Sequence, residues 1–467
     1  MISIKEGGEK MARDTDTNLR NKVLYSIFVR NHTNEGTLKA LEDDLDRIQE
    51  LGTDYVWLLP IHPIGEVNRK GDLGSPYAIK DYRFIDPTLG TEEDFRHLVE
   101  EIHKRGMGII MDVVYNHTSP DSLLAKEHPE WFYQDRTGSP THRFVEWTDV
   151  IDLDYNNVRL WDYQIETLKY WATMVDGFRC DCASMIPIDF WLLARKEVEE
   201  VNPTCIWVAE TMYPDYIFEL RNEGFYAASD SEVYAAFDAT YDYDSRSLME
   251  GYLNGIVSFE SFLMIKQRQE VQYPENYIKL RFLENHDQKR VQTLVKSERA
   301  LLNWTAFLYF EKGMTLIQAG QEKGILHTTS LFNKDPLVWE KKEGIDLTWL
   351  FKKLEQLKVE PTFSSEHYHL TGDKDCASLY GYYQKGEERW VGIFCLRGAD
   401  ASMFVDIPDG TYRNILNNED IFVEEGRVRI HGMPLIFKAK SPPKRSELVY
   451  YPYKEQVSLS VREQTGV

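Results

Sequence analysis

Eight short apolar runs, set apart by helical patterns and loops, constrain this chain more than any other feature. They fall at residues 23–29, 55–59, 108–114, 177–181, 206–209, 235–238, 278–283 and 314–319. Between them, 37–51, 91–105, 157–175, 187–201 and 297–310 carry apolar residues at helical spacing, and 345–359 follows the last run. Leu38, Leu41, Leu45 and Ile48 form one such stripe; Trp161, Ile165, Leu168 and Ala172 form another. Thr91, with Asp94 in the first turn after it, marks a helix start. The run at 108–114 is strongly apolar, as a parallel strand covered on both faces must be. Repeated strand–helix alternation predicts an α/β protein, a parallel (β/α)8 barrel.

Two stretches depart from the alternation. From Thr118 to Asn156, with Pro120, Pro129 and Pro140, there is no clear period, which reads as an irregular insertion after strand three. Beyond Pro361, short runs with period two are separated by Gly and Asp turns, the signature of an antiparallel β-sandwich. The expected division is a polar leader 1–21, a barrel over 22–117 and 157–360, an inserted loop domain 118–156, a C-terminal sandwich 361–447 and a tail 448–467.

Charge and cysteine content narrow the function. The 467 residues carry a formal charge of −22, which argues against nucleic acid and anionic membranes as partners. The five cysteines are sparse and odd in number, so neither a disulfide framework nor a zinc knuckle is expected. The first 21 residues lack the apolar core of a secretion signal, and no apolar run is long enough to span a bilayer. A cytoplasmic protein is expected.

The position of the acids is the main functional signal. Asp112, Asp181, Glu210 and Asp287 all lie at or just past the C-terminal ends of expected strands three, four, five and seven. In such a barrel that end builds the active site. In Gly177-Phe178-Arg179-Cys180-Asp181, Arg179 and Asp181 share one face of a strand. Buried charges of this kind either pair structurally or do chemistry. Two close carboxylates suit glycosidic cleavage, one ionised to attack and one protonated to release the leaving oxygen.

These residues carry a resemblance. Asp112-Val113-Val114-Tyr115-Asn116-His117, Gly177 to Asp181, Glu210 at a strand end, and Asn285-His286-Asp287 resemble, in order and rough spacing, the four signature regions of the α-amylase family of glycoside hydrolases (family 13 type). The resemblance runs from about Leu24 to Val359, and the sandwich resembles that family's C-terminal domain. It implies that Asp181 is the nucleophile, Glu210 the general acid/base and Asp287 the third acid, which holds sugar hydroxyls. It implies that Arg179 keeps Asp181 ionised and that His117 and His286 bind hydroxyls beside the cleaved bond. Asp112 is read as support for Arg179. Tyr77 resembles the aromatic platform under the sugar, with a structural turn tyrosine as the competing reading.

The implied activity is retaining hydrolysis of α-glucosidic, mainly α-1,4, bonds in maltooligosaccharides or starch-type glucans. A 4-α-glucanotransferase or an α-glucosidase on the same scaffold is the alternative. A non-catalytic sugar-binding or transporter-subunit relative is a further one, but such relatives lose the acids that this chain keeps. Calcium-dependent members place a Lys-His pair after the nucleophile motif, where this chain has Ser184-Met185-Ile186-Pro187. Asn116 and Asp152 stand where two calcium ligands do, but calcium takes about six to eight oxygens. We therefore expect no required cofactor, with Asn116 and Asp152 as the candidate metal ligands.

Overall fold

The computed structural model describes residues 14–364 and 367–442. The first thirteen residues of the expected leader, the last five of the expected sandwich and the expected tail 448–467 lie outside the described residues.

The eight barrel strands are β1 Val23–Ile27, β2 Tyr55–Leu58, β3 Gly108–Val113, β4 Gly177–Cys180, β5 Ile206–Ala209, β6 Ala239–Tyr241, β7 Lys279–Arg281 and β8 Met314–Gln318. All pair in parallel in sequence order, and β1 pairs with β8 to close the barrel. Alternate residues turn inward: Leu24, Trp57, Ile110, Val208, Ala239, Tyr241, Leu280 and Leu316 share one buried cluster inside it. The strands' other faces pack against the surrounding helices. The helix Glu92–Lys104 shows how local sequence builds this layer. Phe95, Leu98, Val99 and Ile102 form its buried stripe. Thr91 and Asp94 close a reciprocal cap at its start, which contributes about 1 kcal/mol. At the foot of β4 only glycine fits: a Cβ on Gly177 would stand 2.7 Å from the Ile206 carbonyl oxygen.

Three expected elements are corrected. The sixth strand is Ala239–Tyr241, not 235–238. Asp238 is held below it, accepting from the Trp207 N–H at 2.9 Å and from Arg195 at 2.7 Å. The helix expected over 37–51 is two short ones, Leu38–Glu42 and Leu45–Gln49, with its apolar stripe intact. It breaks next to Asp44, whose carboxylate contacts both His32 and Arg47 at 2.6 Å. The last barrel helix is Thr348–Lys358, later than expected. Gln292 holds both backbone groups of Ile345 in a non-helical hydrogen-bonded pair.

The insertion is mostly irregular. A single turn-length helix, Leu123–Glu127, and the pairing of His117–Thr118 with Ile151–Asp152 organise it. Beyond the barrel, eight strands follow among the described residues: β9 Tyr368–Asp373, β10 Ser378–Lys385, β11 Glu388–Cys395, β12 Asp400–Phe404, β13 Gly410–Arg413, β14 Asp420–Glu424, β15 Arg427–His431 and β16 Leu435–Lys440. They form two antiparallel sheets, ordered β9-β10-β11-β16 and β12-β15-β14-β13. Val391, Ile393 and Phe437 of one meet Met403, Val423, Val428 and Ile430 of the other. The first sheet also joins the barrel's own core. Phe310, on the helix Glu298–Phe310, lies 5.3 Å from Phe394 and 5.5 Å from Tyr383 between ring centres.

Candidate active site

Strand parity delivers the acids to one rim. On β3 the inward residue after Ile110 is Asp112; on β4 Arg179 is followed by Asp181; on β5 Val208 is followed by Glu210. The ladder runs on past the strand ends, which fixes the two outer acids. The Asp181 N–H donates to the Val113 carbonyl at 2.8 Å, and the Glu210 N–H to the Cys180 carbonyl at 2.9 Å. Asp112 and Arg179 are register partners across β3 and β4. Asp287 arrives on the loop after β7, its N–H donating to Asn285 Oδ1 at 3.0 Å.

Arg179 is the hub. Its Nη1 donates to Asp112 Oδ1 and to Asp181 Oδ1, each at 2.8 Å, and its Nε to the Tyr241 hydroxyl at 3.0 Å. Its Nη2 lies 2.8 Å from Glu210 Oε1, in ion contact but without hydrogen-bond alignment. The faces of Trp57 and Tyr241 each lie 5.2 Å from the guanidinium carbon. A fully buried cation is tolerable because three acidic side chains and the rings of Trp57, Tyr241 and Tyr77 surround it.

The other carboxylate oxygen of Glu210 accepts the Cys182 N–H at 3.0 Å. Cys182 makes that contact from a left-handed backbone conformation, φ 46°, uncommon for a side-chain-bearing residue. One carboxylate oxygen each from Asp181 and Glu210 lie within 4.8 Å of one another.

The acids are driven apart in acidity. Burial, with the charges of Asp181 and Asp287, pushes Glu210 well above the ordinary carboxylate range despite Arg179. Burial pushes Asp287 the same way, but His286 and Arg179 outweigh it and hold its pKa low. Asp112 is pushed up to about 6 by burial and the Asp181 charge, against the pull of Arg179.

The five remaining expected residues fall into three groups. Tyr77 and His286 join the cluster: the Tyr77 hydroxyl donates to Asp112 Oδ2 at 3.1 Å and contacts His286 Nε2 at 2.7 Å, their rings stacked 5.6 Å apart. His286 Nε2 is also 3.1 Å from Asp287 Oδ2. His117 sits beyond β3, its Nδ1 3.1 Å from Asn116 Nδ2 and its ring edge-on to Trp147. The pair Asn116 and Asp152 does not fit a metal ion. Asn116 Oδ1 and Asp152 Oδ2 both accept from the guanidinium of Arg143, the latter at 2.8 Å. Sequence reasoning missed Trp57, Tyr241, Cys182 and Arg143. Tyr241 was legible in principle, as the inward residue at the end of β6, had that strand been placed correctly.

A parallel barrel whose rim sets two carboxyl groups within 4.8 Å, one of them held well above the ordinary carboxylate range, is the arrangement of enzymes that cut glycosidic bonds through two carboxylates. The chain belongs to the α-amylase family: the description "Alpha amylase, catalytic domain" matches residues 14–140 and 125–364. "Bacterial Alpha amylase C-terminal domain" matches residues 369–437. Alpha-amylase MalA of Haloarcula japonica is 28% identical over 331 residues, 68% of this chain and 46% of that protein. The chain thus spans about half the length of this curated relative. The crystal structure of an alpha-amylase from Lactobacillus plantarum is similar at TM-score 0.88 and 44% identity, over 91% of this chain and 100% of that one. A noncanonic maltogenic alpha-amylase, AmyB from Thermotoga neapolitana, is similar at TM-score 0.81 and 34% identity, over 91% and 100% of the two chains. Among the described residues no helix is long and apolar enough to cross a membrane.

Proposed function

We propose that the protein is a retaining hydrolase of α-glucosidic bonds, mainly α-1,4, in maltooligosaccharides or starch-type glucans. The observation that carries this reading is the pair Asp181 and Glu210, with facing oxygens within 4.8 Å and Arg179 touching both. Carboxyl groups about 5–5.5 Å apart suit double displacement, whereas about 6.5–9.5 Å leaves room for a water between acid and sugar.

In the first step Asp181 Oδ attacks the anomeric carbon as the bond to the leaving oxygen breaks. Glu210, protonated at rest, gives its proton to that oxygen. A glycosyl ester on Asp181 and an ionised Glu210 result. Glu210 then takes a proton from water, whose oxygen attacks the same carbon and releases Asp181. Two inversions restore the starting configuration. Arg179 shares its charge among the acids and, donating to Asp181 Oδ1, holds the nucleophile in place. Asp287, His286 and His117 hold ring hydroxyls, and Tyr77 forms the floor under the sugar.

Family membership and the similarity to the two amylase structures support the substrate class. Proton NMR of maltoheptaose digestion tests the whole reading. The first-formed reducing ends should be α-anomers; β-anomers appearing first, or no cleavage, would overturn it. Adding a sugar acceptor and following chain-length exchange in the same tube separates hydrolysis from glucanotransfer.

A further inference from the structure

We infer that Arg143 is a built-in cation: it occupies the position the family resemblance gives to calcium and holds the insertion against the active-site rim. It acts as a positioning residue for His117.

Three contacts define the position. Arg143 Nε donates to Asp152 Oδ2 at 2.8 Å, its backbone N–H donates to the same oxygen at 2.9 Å, and an Nη2 hydrogen bond reaches Asn116 Oδ1. The Arg143 side chain is 3% exposed and that of Asp152 0%, so this is a buried ion pair and not a surface one. The rings of Tyr133 and Phe225 lie 4.8 and 5.9 Å from the guanidinium carbon. A flat, weakly hydrated guanidinium suits aromatic faces and a fork of fixed donors. A calcium ion instead needs a shell of about six to eight oxygens. Here the Asn116 oxygen and one Asp152 oxygen already face N–H groups. The other Asp152 oxygen, Oδ1, is buried without a partner among the described residues, far short of a shell. A second cation would also meet the positive charge of Arg143 at close range and compete with it for Asp152.

The contacts tie together three separate segments. Asn116 ends the β3 signature, Asp152 and Tyr133 belong to the insertion, and Phe225 follows the helix Pro214–Asn222 after β5. Asn116 carries the constraint inward: its side-chain nitrogen is 3.1 Å from His117 Nδ1, and His117 is the register partner of Asp152. Arg143 therefore sets both the side chain and the backbone around His117. Without it, Asp152 would be a buried, unpaired carboxylate.

The claim about the cation does not depend on the enzyme's activity; the claim about positioning rests on the hydrolase reading above. The test uses the full chain. Calcium chloride or a chelator should leave the wild-type melting temperature unchanged, and calorimetry should detect no calcium binding. Arg143→Met should melt several degrees lower. Its kcat/KM on maltoheptaose should fall about ten- to a hundredfold. Arg143→Lys, which keeps the charge but not the fork, should recover part of both losses.

A wild-type melting temperature that chelator lowers and calcium alone restores would overturn the inference, even if Arg143→Met cannot be folded. So would an Arg143→Met enzyme with wild-type melting and kinetics. Loss of melting temperature with kcat/KM unchanged would overturn the positioning role. If the wild type cleaves no α-glucan, the hydrolase reading fails while the melting and calorimetry arms still decide the cation.

Discussion

Replacing Glu210 by glutamine separates proton donation from everything else this side chain does. The amide keeps the size and the acceptor that faces the Cys182 N–H at 3.0 Å. It has no acidic proton and no charge. General acid catalysis contributes about 10²–10⁴-fold, which is about 2.7–5.5 kcal/mol of transition-state stabilisation. The loss should appear in kcat/KM for maltoheptaose, whose leaving alcohol needs the proton. A maltoside with a dinitrophenyl leaving group departs without one, so its kcat/KM should stay within about tenfold of wild type. Using kcat/KM confines the comparison to the first chemical step, so slow release of the glycosyl ester does not mask it. Equal losses on both substrates would refute the acid role. Stability supplies an independent check. The folded enzyme raises the Glu210 pKa, so its stabilising effect is fully present below the unfolded carboxylate pKa. It is lost as pH rises through the folded value. Glutamine cannot ionise, so Glu210→Gln should melt no lower than wild type at neutral pH. A clear drop would mean that the contact with Arg179 matters more than the cost of burial.

Other outcomes follow from the same cluster. Asp181→Asn should abolish turnover with an unchanged circular dichroism spectrum, since the amide cannot attack; activity above about a tenth of wild type would exclude it as the nucleophile. The alkaline limb of the wild-type kcat/KM profile should lie above the ordinary carboxylate range, because Glu210 must hold its proton, and this limb should vanish in Glu210→Gln. Tyr241→Phe removes the acceptor of Arg179 Nε; a buried hydrogen bond to a charged group is worth about 1.5–3 kcal/mol, so denaturant unfolding should show a loss of that size. An unchanged midpoint would mean that Tyr241 is only a wall.

Much of this was legible because the acids obey strand parity. Once 177–181 is placed as a strand, Arg179 and Asp181 must share a face, and Glu210 follows from 206–209 by the same rule. Asp287 was legible through its place just past strand seven and its signature, not through parity, since it sits on a loop where no period applies. The misplaced sixth strand shows the limit. The sequence 235–241 is apolar almost throughout, so pattern alone could not choose between Asp238 and Tyr241 as the strand's end. What decided it was a tertiary hydrogen bond from the Trp207 backbone to Asp238. Arg143 was invisible for a related reason. It lies in an insertion without periodicity, and only folding brings it to Asn116 and Asp152.

The packing of Phe310 among Phe394, Tyr383 and Phe363 bears on how the molecule comes apart. The barrel and the first sheet of the sandwich contribute to one continuous buried cluster, so the two are not detachable modules. Cutting the chain near residue 360 would strip the cover from the helix Glu298–Phe310, whose residues from Ala300 onward are all buried. The freed barrel would show a sticky apolar flank to its neighbours. The same continuity should make heat unfold both parts in a single cooperative step, seen as one calorimetric transition, so a change at the far sheet would alter how long the rim keeps its shape.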